Sequence, residues 1–304
     1  MRLRRVAPLF LLAVSACVAP SQPAPVEPAP PSEVVQPVRA PAPAPAPAPT
    51  PSRPAAFSFE GELTQGGWIR GTVPGGTESA ALGETELAFD EEGNFFAAFD
   101  RDAGPSETLV ATLADGRVIE SPVAISQRDW DIERVNVARR PSSSSEAFLA
   151  RRRPELEAIW NARQEETPAD GWRQDMVWPV TGRISGRFGS QRIYRGEPGS
   201  YHSGLDIAGG AGTTYVAPAD GIVVLAEPDF SLEGQLLIID HGQGLNSAFL
   251  HSSELFVRAG QAVKQGQPLG RIGSSGRATG PHLHWSLVWR NLRLDPLLFL
   301  PPMP

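Results

Sequence analysis

All five histidines of the chain lie beyond residue 200, and four of them are spaced so that they could serve one metal ion. His202 and Asp206 enclose Ser-Gly-Leu, His282 and His284 flank a single leucine in Gly280-Pro-His-Leu-His-Trp285, and His251 stands between these clusters in Phe249-Leu-His-Ser252. Imidazole and carboxylate are the usual protein ligands of a zinc ion that does chemistry, and a catalytic site needs three of them with a position left for water. Zinc lowers the pKa of such water to about 7, which supplies hydroxide at neutral pH. The residue types are those of a zinc hydrolase. His241 follows Asp240 in a turn and is expected to be structural.

Strands must position these groups. Residues two apart on a strand point to the same face, so His282 and His284 enter one cleft while Leu283 packs behind them. Between His202 and Asp206 the flexible Ser-Gly pair lets both side chains converge. A helix would also bring positions four apart together, but Gly204 and the pair Gly209-Gly210 disfavour it. The chain has no His-Glu-x-x-His segment, so the helix-borne metalloprotease arrangement does not apply. From Trp178 onward, short apolar runs such as Gly221-Ile-Val-Val-Leu225, Gln235-Leu-Leu-Ile-Ile239 and His282-Leu-His-Trp-Ser-Leu-Val288 alternate with Gly-rich turns, which predicts an antiparallel β domain.

The earlier segments carry no comparable chemistry. Runs such as Phe57-Ser-Phe-Glu-Gly-Glu-Leu63, Trp68-Ile-Arg-Gly-Thr-Val73 and Phe95-Phe-Ala-Ala-Phe99, separated by Pro74-Gly-Gly76 and Glu92-Gly-Asn94, predict a small β-sandwich-like domain. The run Ser142-Ser-Ser-Ser-Glu146 offers a helix N-cap, and Phe148, Leu149, Arg152, Leu156, Ile159 and Trp160 follow at near-helical spacing. Pro154 makes this connector either one kinked helix or two short ones. The fold class is therefore all-β: a small N-terminal β domain (57–137), a helical connector (138–176) and a C-terminal antiparallel β domain (177–304).

Several motifs of the last segment belong together. Trp178-Pro-Val-Thr-Gly-Arg-Ile-Ser-Gly-Arg-Phe-Gly189, His202-Ser-Gly-Leu-Asp206, Ala217-Pro-Ala-Asp-Gly221, Ile238-Ile-Asp-His-Gly242, Gly273-Ser-Ser-Gly276 and Thr279-Gly-Pro-His-Leu-His284 resemble, in order and spacing, the lysostaphin-type (LytM-type) zinc metalloendopeptidases that cut peptidoglycan. The resemblance covers about residues 177–296. It implies that His202, Asp206 and His284 bind one zinc ion and that His251 and His282 assist catalysis, with their tasks left undivided. It further implies hydrolysis of peptidoglycan stem-peptide cross-links by zinc-activated water. The chain departs from the family at Phe249-Leu-His-Ser252, where a Tyr-Ala-His-Leu type run is common, but it keeps the histidine. Family members that have lost zinc ligands act instead as non-catalytic, wall-binding activators of a peptidoglycan amidase. All five positions are intact here, so hydrolysis is expected.

The start of the chain suggests where this chemistry is placed. Met1-Arg-Leu-Arg-Arg5 and an apolar stretch too short to span a bilayer precede Val14-Ser-Ala-Cys17. That run resembles the lipobox of bacterial lipoproteins, which implies cleavage before Cys17 and lipidation of it, closing a signal peptide over 1–17. Cys17 is also the sole cysteine, so no disulfide can form within one chain. Residues 18–56 are almost wholly Pro, Ala, Ser and Val, a composition that builds no core and favours extended polyproline II. At about 3.1 Å per residue this tether reaches at most roughly 120 Å. Valine after the cysteine resembles outer-membrane lipoproteins, so the expected location is the cell envelope, anchored to the outer membrane and facing the periplasm. The formal charge of −7 argues against nucleic acid as a partner, since nucleic acid rewards a basic surface. A regulatory protein partner is compatible with the N-terminal β domain but has no motif of its own.

Overall fold

The computed structural model describes residues 54–138 and 145–304. The expectations placed on residues 1–53, a leader ending at Cys17 and most of the Pro/Ala tether, lie outside the described residues. Strands dominate what is described, as the turn-punctuated apolar runs require, and the one long helix is Glu146–Gln164.

The site is built on an eight-stranded antiparallel sheet. Its order runs Ala262–Val263, Gly221–Phe230, Gly234–Asp240, Leu245–Ser252, Leu283–Trp289, Leu205–Ala208, Arg183–Gly186, with Leu292–Leu294 also pairing to Leu283–Trp289. The late strand Leu283–Trp289 is thus inserted between two much earlier ones. Its register sets His284 opposite Asp206 on one side and opposite Leu250 on the other. Directly opposed residues of antiparallel strands share a face, so His284 and Asp206 point the same way. Leu283, Trp285, Leu287 and Trp289 alternate to the other face and are buried. There Phe249 stacks between Tyr215 and Trp285, with centroids 5.4 Å and 6.5 Å away.

The N-terminal segment forms two small antiparallel sheets. One is ordered Ser58–Gly61, Trp68–Thr72, Asn94–Ala98; the other Thr85–Leu87, Thr77–Leu82, Ser106–Leu113, Val118–Ala124. Their buried residues Ile69, Phe95, Phe96 and Leu109 belong to the same hydrophobic cluster as Phe249, Trp285 and Trp289. Phe96 meets Trp289 edge-on at 6.3 Å, and the Trp68 indole N–H donates to the Leu298 carbonyl at 2.9 Å. Strand Ile132–Val135 goes further and pairs in parallel with Gln191–Tyr194, so two parts of the sequence share a third small sheet.

Glu146–Gln164 is one continuous helix, capped by Ser145, whose hydroxyl accepts from the Phe148 amide at 3.1 Å. Pro154 lies inside it. Leu149, Leu156 and Trp160 of this helix remain about half exposed. Instead, Ala158, Ile159 and Ala162 pack on Val224, Leu225, Leu236, Ile238 and Ala248 of the sheet. Polar contacts set this roll. Arg152 forks onto both carboxylate oxygens of Glu233 at 2.6 Å, and buried Glu155 accepts from the Ser231 amide at 2.8 Å. A bidentate, charge-assisted pair is strongly directional, so it prevails over an apolar stripe of three separated side chains.

The aromatic stack behind the site makes a direct prediction. Phe249→Ala removes a fully buried ring from a packed sheet face, and such truncations cost about 3–5 kcal/mol. Urea unfolding of the variant should show that loss, and a change under about 1 kcal/mol would mean the stack does not hold the strand.

Candidate metal centre

Three donor atoms converge on one point. The His284 Nδ1 lies 2.7 Å from Asp206 Oδ1, the His202 Nε2 lies 3.0 Å from the same oxygen, and the two nitrogens are 3.2 Å apart. Among the described residues this is the one grouping of histidine, cysteine and acidic side chains that could hold a metal ion. Donors 2.0–2.1 Å from a tetrahedral zinc would be separated by roughly 3.3 Å, so the triangle is close to the size needed and slightly contracted.

Backbone carbonyls decide which ring nitrogens face inward. A carbonyl only accepts, so the His202 Nδ1–H donates to Arg187 O at 3.0 Å and leaves Nε2 for the centre. His251 likewise donates from Nδ1 to Ser275 O at 2.8 Å, and His282 donates from Nδ1 to Gly280 O at 2.8 Å. Each neutral ring therefore keeps a bare Nε2. The His282 Nε2 is 3.8 Å from Asp206 Oδ1, and its ring lies 5.1 Å from that of His251, centroid to centroid. The His251 ring is 6.3 Å from that of His284. All five sequence-predicted positions are thus brought into one neighbourhood, three at the triangle and two beside it.

Electrostatics follow from this crowding. Burial pushes the Asp206 carboxyl up, but hydrogen bonds and charge from His202 and His284 outweigh it and hold it well below the usual carboxylate range. Burial lowers His202, yet its bond to Asp206 prevails and its pKa rises. For His284 and His251 burial prevails, and both are pushed below the ordinary imidazole value. Without a cation these close contacts require a ring N–H pointing into the triangle. A divalent metal ion would take that place, so binding and protonation would compete. The donor set fits zinc: two imidazole nitrogens and one carboxylate oxygen, with no thiolate.

Two glycines allow this approach. A Cβ on Gly204 would lie 2.6 Å from Trp285 O and 2.7 Å from His284 Nε2, and one on Gly186 would lie 2.5 Å from Asp206 Oδ2. Gly204 matters here through the space it leaves, and not only through chain flexibility. His251 has a φ of +66°, a conformation that strains a side chain of this size. It is held there by its amide, which donates to Glu233 O at 2.9 Å. Beside His202 opens a cleft of about 980 Å³, bounded by Ser190, Tyr201 and Arg277 and, from the N-terminal segment, by Asp131 and Glu133.

Comparison with known proteins agrees with the motifs. Residues 200–296 match the model of peptidase family M23. This segment is an M23 peptidase domain. A solved M23 peptidase structure from Pseudomonas aeruginosa aligns with a TM-score of 0.60 and 27% identity, over 78% of this chain and 94% of that one. That coverage extends well beyond the M23 domain, so much of the N-terminal β architecture is shared as well. Among curated proteins, a lipoprotein NlpD/LppB homolog of Pseudomonas aeruginosa is 37% identical over 43% of this chain and 40% of its own length. The murein hydrolase activator NlpD of Escherichia coli is 36% identical over 44% of this chain and 32% of its own length. A peptidoglycan DD-endopeptidase, ShyA of Vibrio cholerae, is 38% identical over 36% of this chain and 25% of its own length. The chain therefore spans two fifths or less of each of these relatives.

His241 stands apart from the centre in the M23 domain. Its Nδ1–H donates to Asp220 O at 2.7 Å, and its Nε2 accepts from the Ser247 hydroxyl at 2.7 Å. Ser247 in turn accepts from the Trp285 indole at 3.1 Å, so every polar atom in this buried chain has a partner. The carbonyls of Arg187, Ser275 and Gly280 had no signal in the sequence, because a backbone acceptor is independent of residue type.

Two outcomes follow. Gly204→Ala should weaken metal affinity roughly 10–100-fold, the range for disturbed ligand orientation, with circular dichroism unchanged; chelator competition measures it, and wild-type affinity would refute the packing argument. Burial lowers His241 from 6.5 to about 4, so the unfolded chain binds the extra proton between those values. Stability from this group is complete above pH 6.5 and is lost as pH falls toward 4, by roughly 3 kcal/mol. Denaturant midpoints of wild type and His241→Gln should converge as pH drops from 7 to 4, and parallel curves would remove the assignment.

Proposed function

We propose that this chain is a zinc-dependent endopeptidase that hydrolyses peptide cross-links of bacterial peptidoglycan, held in the cell envelope by a lipid on Cys17. The observation that carries the reading is the triangle of His202, Asp206 and His284, with His251 and His282 both beside it. These three residues would hold one zinc ion, which supplies Lewis acidity and lowers the pKa of water at the site.

The protein's own groups then have distinct tasks. The bare Nε2 of His251 or His282 accepts a proton from the attacking water, because carbonyls at Ser275 and Gly280 keep the proton of each ring on Nδ1. The imidazolium formed can return that proton to the departing amine. Arg187 O keeps His202 aimed inward. The cleft beside His202 carries charged side chains of both signs along its walls, among them Asp131, Glu133, Arg192 and Arg277. Similarity to lipoprotein and murein-hydrolase-activator relatives supports an envelope location and a peptidoglycan setting.

A second reading has a specific observation behind it, the similarity to the murein hydrolase activator NlpD. In that case the chain would bind the wall and activate a peptidoglycan amidase without hydrolysing anything itself. The intact donor set favours hydrolysis.

Digestion of purified sacculi, with muropeptides identified by mass spectrometry and zinc measured in the protein, separates the two. Wild type should bind one zinc and deplete cross-linked dimers. His284→Ala should lose both. His282→Ala should keep zinc and lose roughly 10²–10⁴-fold in rate, the usual contribution of a general acid or base. Absence of both zinc and cleavage in wild type would overturn the endopeptidase reading and favour the activator.

A further inference from the structure

Arg101 belongs to the N-terminal β segment and lies far in sequence from every metal-site residue, yet it is 5% exposed and turned into the loop that carries His202. Its Nη2 and Nε donate to the Gly189 carbonyl at 3.0 and 3.3 Å, and Nη2 also donates to Gln191 Oε1 at 3.3 Å. Its Nη1 meets the exposed Asp102 carboxylate at 2.6 Å. The guanidinium lies 4.7 Å from the ring of Tyr201, the residue just before His202, and 5.1 Å from the ring of Trp130. A planar, always charged group suits such a stacked and forked position in a way an ammonium does not.

What Arg101 grips is the other side of the His202 clamp. The Gly189 amide donates to His202 O at 2.9 Å, and the His202 amide donates to Ser190 O at 2.8 Å. Two residues earlier, Arg187 O takes the His202 Nδ1–H. Gly189 cannot move toward Trp130, since even a Cβ there would lie 2.1 Å from the indole. The backbone that orients His202 is therefore pinned through one residue, with the guanidinium on the Gly189 carbonyl and His202 on the Gly189 amide.

We propose that Arg101 is a positioning residue for His202, by which the N-terminal β segment sets the metal affinity of the M23 domain. This rests on the reading of His202 as a zinc ligand. Arg101 touches none of the donors and does not itself line the cleft; it acts through Gly189 and Tyr201.

The test compares Arg101→Ala, Arg101→Lys and Arg70→Ala in the full chain. Arg70 joins the N-terminal segment to the carbonyls of Arg173 and Gln174, and among the described residues it makes no hydrogen bond to the His202 loop. Zinc affinity is measured by chelator competition, thermal stability by calorimetry, and amide exchange at Gly189 and His202 in zinc-free protein. Arg101→Ala should bind zinc at least tenfold more weakly and exchange faster at both amides. Arg101→Lys, which keeps a donor for Gly189 O, should recover part of each. Arg70→Ala should lower thermal stability and leave zinc affinity unchanged. Equal zinc affinity in Arg101→Ala and wild type overturns the proposal, as does an equal loss in Arg70→Ala, which would make the effect one of general stability. If Arg101→Ala fails to fold, Arg101→Lys decides through the same two readouts. If wild type takes up no zinc, the reading of the centre fails, and unchanged exchange at Gly189 and His202 in zinc-free Arg101→Ala separately overturns the role of Arg101.

Discussion

Everything at the site depends on the register of one strand. Leu283–Trp289 lies between Leu205–Ala208 and Leu245–Ser252, with His284 opposite Asp206 and Leu250. Side chains alternate with a period of two, so a slip of one residue would send His284 into the core and expose Trp285. The core itself forbids that slip: Trp285 is fully buried, and its indole is tied to Ser247 and through it to His241. The hydrophobic face of the strand thus places the polar face, and the energy that holds the donors together is mostly the burial of the residues between them.

A cluster of histidines around a carboxylate is costly to assemble, and the fold distributes that cost over rigid neighbours. Hydrogen bonds and charge from His202 and His284 hold Asp206 well below the usual carboxylate range, while burial pushes His251 and His284 below the ordinary imidazole value. The ring orientations come from carbonyls of three separate loops, at Arg187, Ser275 and Gly280. The strained backbone of His251 is stabilised by Glu233, which the helix grips through Arg152. The elements that look peripheral to the M23 domain therefore bear on its geometry: the helix on the His251 side, and the N-terminal β segment on the His202 side.

Much of this was legible in the residues. The alternation in His282-Leu-His-Trp285 foretold a strand with two inward imidazoles, and the turn-punctuated apolar runs foretold an all-β fold. The helix was legible in its cap and its spacing, but not in its continuity through Pro154 or in its roll. The Arg152–Glu233 pair, between groups 81 positions apart, helps set that roll and leaves Leu149, Leu156 and Trp160 half exposed.

Sequence alone determined the chemical alphabet: which donors exist, that Asp206 and His284 sit on strands, and that their types suit zinc. Those properties are local, carried by side-chain chemistry and by periods of two. Tertiary structure decided which ring nitrogen of each histidine faces the centre, how close the donors come, and that Arg101 reaches the His202 loop. These depend on backbone carbonyls, on the absence of a Cβ at Gly186 and Gly204, and on contacts between residues tens of positions apart. No local pattern encodes them, because they arise only when the strands pair and the shared core closes.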